Sequence, residues 1–224
     1  MTITGQDTET SRALRGLEDR DASVRLRAAL AVGSAPDPRF VGTLVERCAV
    51  EPEFFVRDML TWALTRHPVD LTLPAVIREV RSERAQARSQ ALHTLSKLGD
   101  PGAWPVITRE LLTDPDEEVA RCAWRAAAVL VPDDEREALA GVLVTQFGRG
   151  GRETRLSLSR VLVDLGEAAE PAVDAVARAA DDPDVRAHAL ATRRVLRDPD
   201  TGIGFAIEDA KRAVALDGAP VVDD

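Results

Sequence analysis

The chain has no tyrosine, two cysteines and, among 29 basic residues, only two lysines, Lys97 and Lys211. Each shortage narrows what the protein can be. Cys48 and Cys122 stand alone, outside any C-x-x-C pair, so no zinc finger is written in the sequence. Both fall in helical apolar patterns, where a buried thiol behaves as a small hydrophobe. Acidic residues outnumber basic ones, the net charge is −9, and no dense Lys/Arg run occurs. Such a chain repels phosphate backbones, which disfavours a nucleic-acid partner. No apolar run reaches the roughly 18 residues of a membrane span. The opening MTITGQDTETSRALRGLEDR lacks the apolar core of a signal peptide. The sequence therefore predicts no membrane association and a cytoplasmic location.

Catalytic motifs are missing too. GRGG at 148–151 has neither the spacing of a phosphate-binding loop nor its lysine, and no nucleophile elbow occurs. His67, His93 and His188 are widely separated, with no second ligand three or four residues away. The sequence offers no catalytic residue, no metal site and no cofactor site, and it leans away from an enzyme. Aromatic residues are 4% of the chain, so its 45% hydrophobic content is mostly Ala, Leu and Val. These favour helices and close helix–helix approach. The β-branched alternation of strands is rare, and the chain reads as all-α.

What is present is a repeat. Val24, Val56, Ala87, Val119, Thr154 and Val185 anchor six similar helices, at separations of 32, 31, 32, 35 and 31 residues. The next residue is Arg25, Arg57, Arg88, Ala120, Arg155 or Arg186. Four residues after each anchor stands Ala28, Leu60, Ala91, Ala123, Leu158 or Ala189. A fixed period in this range marks stacked supersecondary units. These second helices begin near Ala22, Glu53, Arg84, Glu117, Arg152 and Pro183. The first helices are expected at Ser11–Leu17, Pro38–Val50, Leu71–Arg81, Ala103–Thr113, Glu135–Phe147 and Ala169–Ala179. Asp-Pro pairs at 37–38, 100–101, 114–115, 182–183 and 198–199 fit helix starts, and Gly99 and Gly166 fit helix ends. Short loops force neighbouring helices antiparallel. The expected fold is a solenoid of about six antiparallel helix pairs over 11–197, in which each apolar stripe is buried only by its neighbours. A linker and capping helix are expected over 198–216, with FAIEDAKRAVAL (205–216) amphipathic. Residues 1–10 and the acidic tail 217–224 are expected to be mobile.

DASVRLRAALAVG (21–33), ARSQALHTLSKLGDP (87–101), DEEVARCAWRAA (116–127) and DPDVRAHALATRRVL (182–196) resemble HEAT repeats of the kind also found among phycobilisome-lyase relatives. The second and fifth units depart from the pattern, with Glu53 and Gly151 where an Asp usually precedes the anchor. The resemblance implies a right-handed α-α superhelix, with second helices on its concave side. It also implies an Asp–Arg ladder between units, here Asp21, Arg25, Arg57, Arg88, Arg155, Asp182 and Arg186. Asp21 with Arg25, and Asp182 with Arg186, have the favourable i, i+4 spacing.

On second helices, the positions two, six and nine after the anchor lie opposite the apolar stripe. In a HEAT-like stack that side lines the groove. The middle units place Asp58, Trp62, Ser89, His93, Arg121, Arg125 and Arg160 there, with Trp124 alongside, while the first unit contributes Leu26 and Leu30. Trp and Arg are common interaction anchors, arginines can hold acidic or phosphorylated groups, and His93 can add pH sensitivity. The leading reading is a non-enzymatic scaffold gripping a protein partner on its concave surface. One alternative is a nucleic-acid-binding or DNA-repair protein, since a DNA glycosylase family also uses HEAT-like units. A third, resting on resemblance alone, is a bilin-lyase-related protein handling tetrapyrroles. The sequence leaves oligomeric state open.

Overall fold

A computed structural model describes residues 12–198. The capping helix expected over 205–216 and the expected mobile termini lie outside the described residues. The chain divides into two compact units at Val106/Ile107. Among the described residues there is no strand.

In the first unit, α1 (12–17) and α2 (Ala22–Ser34) lead into α3 (Phe40–Cys48), α4 (Phe54–Arg66), α5 (Val69–Glu79) and α6 (Ala85–Leu98). Helices α2, α4 and α6 pack side by side as one layer, α3 packs on α5 in the other, and α3 with α4 and α5 with α6 form antiparallel pairs. The core between the layers is small and aliphatic: Leu44, Leu60, Leu64, Leu92 and Leu95 are essentially inaccessible. The second unit repeats this plan. Its first layer is α7 (Arg109–Leu112), α9 (Arg136–Leu143) and α11 (Glu170–Ala179), and its second is α8 (Glu117–Leu130), α10 (Arg152–Leu165) and α12 (Pro183–Arg197). This two-layer alternation is a HEAT-like helical repeat, and each helix buries its apolar stripe against its neighbours.

The second helices start where the repeat predicts. Asp21, Asp116 and Asp182 cap α2, α8 and α12 by accepting first-turn amides. Pro183 occupies the first turn of α12, where its missing N–H costs nothing. Gly99 ends α6 at φ 64°, in the left-handed region that glycine enters freely. The fourth first helix departs from expectation. Instead of one helix over Ala103–Thr113, Pro101–Val106 forms a 3-10 turn, the chain extends, and α7 has four residues. Pro105 lacks the amide a continuous helix would need and disfavours helical geometry at Trp104. The division between units falls at the end of this turn.

Candidate functional site

Four of the repeated arginines, Arg25, Arg57, Arg88 and Arg155, have one job in common. Arg25 Nη1 donates to the carbonyls of Asp19 and Arg20, Arg57 Nη1 to those of Glu51 and Pro52, and Arg88 Nη1 to those of Ser82 and Glu83. In the second unit Arg155 donates to the carbonyls of Gly148 and Gly150. Each arginine thus ties its helix to the loop that feeds it, satisfying carbonyls that no helix or sheet would otherwise satisfy. Two of them also reach the following repeat: Arg25 to Glu51, and Arg155 to Asp184 at 3.1 Å. Asp21 does not hold Arg25; it caps α2 through the Ser23 amide.

Glu51 is the centre of the first unit's polar interior. It is fully buried. Its Oε2 accepts from Arg25 Nε at 2.7 Å and from Arg47 Nη2 at 2.7 Å, and its Oε1 accepts from Arg25 Nη2 and from the Glu53 amide. Gln86 Nε2 donates to the Glu51 and Cys48 carbonyls from α6. The loop between α3 and α4 is therefore clamped from several helices. Burial alone would raise the Glu51 pKa; hydrogen bonds from Arg25, the Glu53 amide and Arg47 outweigh it and hold it at about 2.

The clamped loop presents unusual side chains. Phe54 and Phe55, at the start of α4, are 64% and 75% exposed, and their rings meet edge to face at 5.6 Å. On the same helix, Asp58 and Trp62 follow Phe54 at four-residue intervals and so share its face. Leu30 on α2 and Trp62 on α4 are partly exposed. The Trp62 ring lies over Gly33 of α2, where an added Cβ would come within 2.3 Å of it. His93 Nε2 on α6 stands 3.9 Å from Asp58 Oδ1. Trp62, Asp58 and His93 are thus brought together in the first unit. Ser89 is not part of this surface: it is buried and its hydroxyl donates to the Gln86 carbonyl.

The second unit holds the remaining candidates. Arg121 and Arg125 on α8 both approach Glu118 at 3.4 Å, and Arg125 Nη2 also contacts Cys122 Sγ. Arg160 on α10 is exposed. Trp124 corrects the sequence reading. It does not flank an exposed face; it is completely buried and its Nε1 donates to the Leu112 carbonyl at 2.8 Å. An indole with a satisfied N–H is a stable interior element, and it ties α8 to α7.

Sequence reading also missed a buried polar network in the second unit. His188 on α12 is only 2% exposed. Its Nδ1 accepts from the Gly148 amide, so Nε2 carries the proton, facing the Arg155 carbonyl and Ser159 Oγ, each at 3.0 Å. Ser159 also bonds to Thr192, which donates to the His188 carbonyl. Burial pushes the His188 pKa down to about 4, against the raising effect of the Arg155 carbonyl, and the Arg155 charge adds to the lowering. The Ser159–His188 pair has no catalytic geometry, because both side chains are sealed from solvent. No local sequence signal marks this network, since its members come from α10, α12 and the 148–151 turn.

Among the described residues, no group of three or more His, Cys, Asp or Glu could hold a metal ion, and no helix is long and apolar enough to cross a membrane. No family model matches the sequence, and no curated protein matches it. Solved structures that resemble the chain are helical. An engineered protein aligns with TM-score 0.48 and 18% identity, covering 95% of this chain and 98% of its own. Human deoxyhypusine hydroxylase in complex with glycerol aligns with TM-score 0.47 and 16% identity, covering 96% of this chain and 100% of its own. The complex of CpcE and CpcF of phycocyanin lyase from Nostoc sp. PCC7120 aligns with TM-score 0.40 and 16% identity, covering 90% of this chain and 93% of that one.

Proposed function

We propose that the chain is a non-enzymatic protein-interaction scaffold that takes a partner segment on the exposed face of its second helices. The observation that carries this reading is the gathering of Leu30, Phe54, Phe55 and Trp62 on or beside that face of the first unit. Large apolar side chains are left in water at a cost unless a partner covers them, and aromatic residues dominate interface energetics. In the second unit, taken by itself, Arg121, Arg125 and Arg160 stand at the corresponding offsets of its second helices. A nucleic-acid reading is less well supported, because Arg121 and Arg125 share the Glu118 carboxylate and the chain carries net charge −9. Buried free thiols at Cys48 and Cys122 suit a reducing cytoplasm.

The test is retention of partners from an extract of the native host, identified by mass spectrometry. The Trp62→Ala/Arg125→Ala double variant should lose the specific partner while its helical circular dichroism persists. Undiminished retention would sink the proposed surface. Binding of the unaltered chain to duplex DNA at low salt, lost steeply as salt rises, would favour the nucleic-acid reading instead.

A further inference from the structure

Building on the scaffold reading, we propose that the column Phe54–Asp58–Trp62 on α4 receives a cationic side chain, arginine in preference to lysine, from the partner segment. The three residues stand one helical turn apart on one face, with neighbouring Cβ atoms about 5–6 Å apart. All three reach solvent: Phe54 is 64% exposed, Trp62 37%, and the Asp58 side chain 64%. An acid between two aromatic rings offers a cation both charge and ring faces, and a cation within about 6 Å of a ring centroid is attracted by its quadrupole. The Phe54 ring already accepts such a contact, since the Arg57 guanidinium lies 6.0 Å from its centroid.

The local cations leave Asp58 available. Arg57 Nη1 is spent on the Glu51 and Pro52 carbonyls. Arg66 follows Asp58 by two helical turns, about 12 Å along the axis. Among the described residues the ion-pair neighbour of Asp58 is His93, which carries charge only when protonated and stands 3.9 Å away, beyond hydrogen-bond range. The clamp on Glu51 fixes the start of α4, so the column is ordered before a ligand arrives, which lowers the entropic cost of binding. A net charge of −9 draws a basic segment toward the chain. Arginine is favoured because its planar guanidinium stacks on aromatic rings and can also bond a carboxylate through two parallel N–H groups.

The experiment titrates the full chain with a capped hexapeptide of alternating glycine and arginine, following the indole N–H resonance of Trp62 by NMR, assigned with a Trp62→Phe variant. Saturable movement of that resonance is expected. Asp58→Asn and Phe54→Ala should each weaken binding by about fivefold or more. The lysine counterpart should bind more weakly, and the uncharged citrulline counterpart should not bind. Both substituted positions are exposed, so the variants should keep their circular dichroism. The inference is overturned by no saturable shift, by equal binding to Asp58→Asn, or by equal binding of the citrulline peptide. In the extract experiment, a partner lost on Trp62→Ala but kept by Asp58→Asn rejects this inference and leaves the scaffold reading standing. A partner kept by both variants rejects the two together.

Discussion

Among the described residues, each unit buries a polar cluster that fastens a loop, and these two clusters are built from opposite chemistry. In the first unit a carboxylate, Glu51, is neutralised by Arg25 and Arg47. In the second an uncharged imidazole, His188, is held by Ser159, the Arg155 carbonyl and the Gly148 amide. Both fasten a loop that precedes a second helix: Glu51 sits in the loop entering α4, and His188 grips the turn entering α10. The two fasteners differ in charge and also in place: Glu51 stands five residues before its anchor Val56, and His188 three residues after Val185. The consequence is that the two units should respond differently to deletion and to acid.

Deleting the charged fastener should have the largest effect. Glu51→Ala leaves Arg25 buried without its carboxylate, and breaking a buried pair from one side costs roughly 3–5 kcal/mol. The urea midpoint should fall accordingly, and amide exchange should accelerate first around 49–57. A midpoint unchanged within error would mean that the loop is held by Arg57 and Gln86 alone.

Acid separates the two units. His188 is neutral in the fold, with a pKa near 4, whereas an unfolded histidine titrates near 6.5. The unfolded state therefore takes up a proton first, and the contribution of His188 to stability is complete above about pH 6.5 and is lost as pH falls toward 4. The full loss is about 3 kcal/mol. Glu51 runs lower: its contribution is present above the ordinary value of 4.5 and falls only as pH drops toward 2. Urea unfolding at pH 7 and pH 4.5 should show the weakening, with amide exchange locating it in α10 and α12. A flat profile in this window, or one unaltered by His188→Asn, would refute the neutral network.

The sequence made the second helices legible because they carry a repeated signature. Val24, Val56 and Val119, with the apolar residues Ala28, Leu60 and Ala123 four positions later, report packing that recurs from copy to copy. Capping aspartates at 21, 116 and 182 are local chemistry and equally readable. The first helices are less constrained, and Pro105 shortens the fourth one. Trp124 was misplaced because a position five after the anchor sits at the boundary between stripe and surface, and only its bond to the Leu112 carbonyl decides the matter. The burial of Glu51 and His188 is not readable locally. Arg47 precedes Glu51 by one helical turn, but Arg25 lies 26 residues from Glu51 and Gly148 lies 40 from His188. For the candidate surface, Trp62, Asp58 and His93 came from helical spacing. Phe54 shares that spacing but precedes the anchor, outside the offsets that define the groove.

The contact between α2 and α4 tests how the exposed face of the first unit is shaped. Gly33→Ala would set a Cβ against the Trp62 ring and within 2.9 Å of the Ala63 backbone. The ring can swing away, but the backbone cannot, so overpacking should cost about 1–3 kcal/mol. Trp62 emission should shift to longer wavelength as the ring moves into water. A stable variant with unshifted emission would show that α2 and α4 approach less closely than described.

The smallest effect is expected where an ion pair is exposed, and it completes the contrast with Glu51. Glu118 on α8 meets Arg121 and Arg125 at 3.4 Å, and its side chain is 53% exposed. Water solvates all three groups whether or not they pair, salt screens them, and holding long side chains in place costs rotamer entropy. Glu118→Gln should therefore change stability by no more than about 0.5 kcal/mol, against several for Glu51→Ala. The same substitution frees two arginines from their shared carboxylate, so under the scaffold reading it should alter retention of the partner more than it alters the urea midpoint. A loss of stability comparable to that of Glu51→Ala would mean that the α8 face is buried in the working protein and that its arginines serve packing in place of recognition.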